Sequence, residues 1–123
     1  MRLVLMVSIV LCATPLARAS ANPIDVRAET ETPVGIHRVV LGEGCSFGVV
    51  PSIMIVKPPV DGALLVRTEI VRIPDSDPSC AGKMARAAVI YYKSVVGYRG
   101  ADSFSYQLVP DSGKIIDVEL DIK

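Results

Sequence analysis

The chain of 123 residues contains no tryptophan, only 5% aromatic residues, one histidine and no excess charge, with 13 basic side chains against 13 acidic ones. Each shortage excludes something. Without Trp, and with few other aromatic rings, there are few platforms on which unpaired bases could stack, and a balanced charge gives no electrostatic grip on a phosphate backbone. Nucleic acid is therefore not an expected partner. A single histidine, His37, beside Arg38, has no companion His for a metal pair and no nucleophile named by spacing. It reads as an exposed residue at a strand end, and a hydrolytic role would have to run through it alone. Gly-rich phosphate loops and nucleophile elbows are also missing. No cofactor and no metal are expected. Asp75-Ser76-Asp77 has the start of a calcium loop but no spaced acidic terminator, and Pro74 and Pro78 make it a rigid turn.

What the chain has in quantity is apolar residues, at 50% of the total with 21% charged, a balance that folds rather than stays disordered. The first of these form an address. Arg2 precedes the apolar run Leu3-Val4-Leu5-Met6-Val7-Ser8-Ile9-Val10-Leu11-Cys12-Ala13, and Pro15 and small residues lead to Ala19-Ser20-Ala21. This order is that of a secretory signal peptide over 1–21, cut after Ala21 or, as the close competitor, after Ala19. The run is too short for a stable membrane anchor, and no later stretch approaches the roughly 18 apolar residues a spanning helix needs. The expected mature domain, 22–123, is mildly acidic and periplasmic or secreted, without a membrane span.

Cys12 leaves with such a leader, so Cys45 and Cys80 remain. Two cysteines in a small exported domain read as a disulfide, because the compartment oxidises thiols and the core is limited. Closing about 36 residues restricts the unfolded chain by roughly 3.5–4 kcal/mol. A redox pair or a zinc site fits less well, because the spacing is not Cys-x-x-Cys and further ligands are lacking.

The rest has a period of two. Ile116, Val118, Leu120 and Ile122 alternate with Asp117, Glu119, Asp121 and Lys123, and Phe104, Tyr106 and Leu108 alternate with Ser103, Ser105 and Gln107. Asp111-Ser112-Gly113 lies between them as a hairpin turn. Further strands are expected over 24–28, 37–41, 48–57, 62–73 and 84–93, with Pro51 at an edge, end or bulge. Turn-rich segments separate them at 42–44, 58–62, 74–78 and 97–100. About seven short strands and no helical stripe predict an all-β fold, an immunoglobulin-like antiparallel β-sandwich, with a small closed barrel as the alternative. Without a Trp to pack on it, the disulfide is expected to tie a loop rather than pin the sheets.

Tyr98-Arg99-Gly100-Ala101-Asp102-Ser103-Phe104-Ser105-Tyr106, followed by Asp111-Ser112-Gly113 and a last alternating strand, resembles bacterial immunoglobulin-like and cadherin-like repeats of surface and exported proteins. A weaker match is Pro58-Pro59-Val60-Asp61-Gly62-Ala63-Leu64, similar to the Pro-x-x-Gly lead into a middle strand of those repeats. The resemblance covers about half of residues 22–123. Here the chain holds one copy, and the region from Cys45 to Cys80 departs from the pattern. The residues agree with a structural device: Gly100 permits a positive φ, Asp102 bonds turn amides, and Phe104 and Tyr106 enter the core. A calcium role for Asp102 lacks the paired acidic linkers of calcium-binding cadherins.

The resulting expectation is a non-catalytic module that binds an envelope or extracellular protein or a glycan. Contact residues are expected in the loops 42–44, 74–80 and 97–101, among them Asp75, Asp77, Tyr98 and Arg99. The alternative is an exported inhibitor or accessory protein acting through its disulfide-held loop.

Overall fold

The computed structural model of the chain describes residues 22–38, 40–41, 45–109 and 114–123. The leader at 1–21, the loop at 42–44 and the turn at 111–113 lie outside the described residues. Nine strands and no helix are found among those described. They are β1 (Ile24–Val26), β2 (Thr32–His37), β3 (Val40–Leu41), β4 (Ser46–Phe47), β5 (Ser52–Lys57), β6 (Gly62–Arg72), β7 (Met84–Ser94), β8 (Gly100–Val109) and β9 (Ile115–Ile122). Seven of them form two sheets, ordered β1-β9-β8-β5 and β2-β7-β6, while β3 and β4 pair only with each other. All pairs are antiparallel except β1 with β9, which run parallel from Ile24 opposite Leu120 to Val26 opposite Ile122. The sandwich is thus not wholly antiparallel.

The two sheets stack through one core. Val34, Ile90 and Tyr92 from the three-stranded sheet meet Val26, Phe104, Tyr106, Val118, Leu120 and Ile122 from the four-stranded one. The alternation along β9 places Val118, Leu120 and Ile122 inside, as period two requires. Phe104 and Tyr106 are both buried, with their rings stacked at 5.8 Å.

Strands β2, β3 and β5 differ from expectation. The segment expected as one strand over 37–41 is divided, with His37 closing β2 and Val40 opening β3. The strand before it, β2, holds Pro33 and Gly35, which mask its period. A register shift between those two residues turns Val34 into the core. β5 begins after Pro51 rather than at Gly48, because proline has no N–H to give to the ladder.

Cys45 and Cys80 are bonded, with S–S at 2.03 Å. One lies in the connection from β2 to β5 and the other in the connection from β6 to β7. With Ile73 and Ala85 they make a small second core, separate from the main one. The bridge therefore ties two loops at one end of the sandwich. Cys45 also holds a left-handed backbone, with φ of 59°.

Candidate functional site

The loops fall into two groups at opposite ends of the sandwich. The described residues of the 38–51 connection and the connection 73–83 gather at the disulfide end, and 27–31, 58–61 and 95–99 at the other.

At the disulfide end β6 and β7 run beyond the core. Leu64 packs against the core, so Val66, Thr68 and Ile70, at even spacing, present to the same face. Yet Ile70 is 66% exposed and Met84 56%, because the facing sheet does not cover them. Residues 48–50 pass opposite this overhang. Between the two is a cleft of about 670 Å³ bordered by Val49, Val50, Thr68, Ile70, Met84 and Arg86. Val49 stands almost free, at 90% exposed. The lining is mainly aliphatic, with one hydroxyl and one guanidinium, and it offers a place for an apolar side chain rather than a set of reacting groups.

The connection 73–83 forms the rim beside it. Asp77 N–H donates to the Pro74 carbonyl at 3.1 Å, Lys83 N–H to the Cys80 carbonyl at 3.1 Å and Gly82 N–H to the Ile73 carbonyl at 3.0 Å, a series of tight turns closed by the disulfide. Arg72 pairs with Asp75 at 3.1 Å, and Arg38 approaches Asp77 at 3.8 Å. These carboxylates therefore anchor the loop as well as display it.

Tyr98 and Arg99 lie at the far end, so the four residues expected to bind do not form one surface. The Tyr98 hydroxyl donates to the Ala101 carbonyl and closes the turn leading into β8. Gly100 has φ of 129°, a value that L side chains rarely adopt. Beyond it Asp102 is buried and its carboxylate accepts four hydrogen bonds. Val60 N–H reaches Oδ1 at 3.1 Å, Ser103 N–H Oδ1 at 2.9 Å, Asp61 N–H Oδ2 at 3.0 Å and the Tyr92 hydroxyl Oδ2 at 2.7 Å. Burial opposes its charge, but the Tyr92 hydroxyl and the three amides outweigh that and hold its pKa below the ordinary 3.8. Two carboxylate oxygens with four donors have no capacity left for calcium. Only one of those amides belongs to its own turn. The other two come from the Pro58-Pro59-Val60-Asp61 segment, which had no link to Asp102 in the sequence beyond the shared resemblance.

His37 is half-buried rather than exposed. Its Nε2 shares a hydrogen bond of 2.6 Å with the Tyr106 hydroxyl, and burial lowers its pKa below 6.5. The rings meet edge to face at 5.3 Å. Among the described residues no carboxylate is bonded to this histidine, and the pair joins β2 to β8. Among the described residues no three His, Cys, Asp or Glu side chains gather as a metal site, and no helix is long and apolar enough to cross a membrane.

The outer face of the three-stranded sheet carries a polar group. Tyr91 donates to Glu69 Oε2 at 2.6 Å, and Arg67 lies over the Tyr91 ring at 5.1 Å while bonding Glu31 at 2.7 Å. Comparison with protein-family models, curated proteins and solved structures finds no match to this chain.

Proposed function

We propose that the chain is an exported, non-catalytic module of immunoglobulin-like type that binds another protein of the envelope or extracellular space. Its strand orders support the type: β2-β7-β6 and β5-β8-β9 correspond to the B-E-D and C-F-G orders of that architecture, with β1 placed against the last strand. The disulfide and the signal-like leader fit an oxidising compartment. The observation that carries the binding role is the apolar cleft at the disulfide end, whose flanking loops are fixed by a covalent tie before any ligand arrives. A protein ligand fits it better than a glycan, because the described lining has aliphatic residues and no aromatic platform for a sugar ring.

The test is capture of a partner from envelope extract, followed by titration of that purified partner. Val49→Asp and Met84→Glu, which place charges in the cleft without touching the core, weaken binding at least tenfold on this reading. Unchanged affinity in both variants overturns it. The second reading, an inhibitor acting through residues 74–80, is favoured by the turn-locked rim. It requires a tight one-to-one complex that survives Val49→Asp and is lost on reduction.

A further inference from the structure

The edges of the two sheets are protected unequally. β2 carries Pro33 and a register shift, β5 has a register shift near Lys57 and prolines on either side, and β1 covers the end of β9. These are the ordinary means by which an edge is kept from pairing with a foreign strand. β6 has none of them. It is the last strand of its sheet, 11 residues long, pairs with β7 in unbroken register from Gly62 opposite Ser94 to Arg72 opposite Met84, and contains no Pro and no Lys. Alternate backbone N–H and C=O groups along it face away from β7 with no strand among the described residues to take them.

We infer that β6 is a self-association edge: two copies of the chain pair antiparallel through β6 about a two-fold axis at Thr68, joining their three-stranded sheets into one of six strands. The argument lies in the register. With Thr68 opposite its own mate, Arg67 lies opposite the second copy's Glu69, and by symmetry Glu69 opposite its Arg67. On the core-facing side Val66 lies opposite Ile70, 41% and 66% exposed in the single chain, and each covers the other. On the outer side Leu65, 46% exposed, lies opposite Val71. Centring the axis one residue earlier puts Arg67 against Arg67, and one residue later puts Glu69 against Glu69, so the charges select the register. Glu31 and Tyr91 do not block this. Tyr91 occupies only Oε2 of Glu69, and a guanidinium has five donors, of which Glu31 engages one edge. A two-fold axis closes the assembly at two copies instead of propagating a fibre. This inference goes beyond the cleft and does not depend on its ligand, although Thr68 and Ile70 border both surfaces.

Sedimentation equilibrium on the chain purified from its oxidising compartment is expected to show a monomer–dimer equilibrium. Arg67→Glu, which sets like charges opposite each other twice, weakens the dimer about tenfold or more. The double variant Arg67→Glu/Glu69→Arg restores it, although its own contacts to Glu31 and Tyr91 are not restored. Thr68→Cys, at the axis, yields a covalent dimer on mild oxidation, and Ser52→Cys, on the β5 edge, does not. A monomer at all concentrations up to about 1 mM overturns the inference and returns the edge to a strand of another protein. So does failure of the double variant to dimerise while circular dichroism shows both variants folded.

Discussion

The Tyr92 hydroxyl and the Asp102 carboxylate meet at 2.7 Å across the gap between the sheets, one residue from β7 and the other from β8. Near the other end His37 of β2 and Tyr106 of β8 make a second polar joint at 2.6 Å. An apolar core alone permits neighbouring alignments of the sheets. One buried and one half-buried polar pair, each costly to leave unmade, allow one.

Replacing Asp102 should show that cost directly. Asp102→Ala leaves two loop amides, the Ser103 amide and a buried phenol without an acceptor, and is expected to lower stability by about 2–4 kcal/mol in urea unfolding. Because folding depresses the pKa of this carboxyl, its contribution is fully present above the ordinary value of 3.8 and is lost as pH falls through the lower folded value. Asp102→Asn should flatten that acid limb of the stability profile.

His37 gives a second pH window with the same sign for a different reason. Burial lowers its pKa, so between 6.5 and the lower folded value the unfolded chain holds more protons and stability falls as pH is reduced. The melting temperature should therefore drop between pH 7.5 and 5.5, and His37→Phe should remove most of that drop. As the chain has one histidine, its ring resonances in a nuclear magnetic resonance titration report this pKa without ambiguity.

Gly62 should not tolerate a side chain. A Cβ there would lie 2.5 Å from the Tyr92 ring, whose hydroxyl is already committed to Asp102. Gly62→Ala is expected to cost about 1–3 kcal/mol in urea unfolding, even though alanine suits a strand better than glycine does.

The disulfide belongs to the small outlying core, so its loss should spare the sandwich. Cys45→Ala/Cys80→Ala is expected to retain a β-type circular dichroism spectrum while losing about 2–4 kcal/mol. In limited proteolysis new cuts should fall within 74–83 rather than in β7 or β8.

The readable parts of the sequence were those whose partners lie close by or whose period is strict. The β8–β9 pairing follows from two alternating runs, and the Cys45–Cys80 bridge from the two cysteines that remain beyond the expected leader. β2 was hidden because Pro33 and Gly35 interrupt its alternation, and only the bulge shows why Val34 is inside. The partners of Asp102 at Val60 and Asp61 lie 42 and 41 residues away, beyond any local signal. The cleft was illegible for another reason. Val66 and Ile70 look like core residues, and their exposure arises from a mismatch in length between strands of facing sheets, which no single strand encodes.

The parallel pairing of β1 with β9 bears on how the domain would answer a pull. Tension between residue 22 and Lys123 drags the first and last strands past each other along their own axes, so the ladder from Ile24 to Val26 is sheared as a unit and not unzipped bond by bond. Asp25 and the Lys123 ammonium, 3.1 Å apart, straddle the same seam. A chain tethered at both ends would resist up to the rupture of that short patch and then yield abruptly.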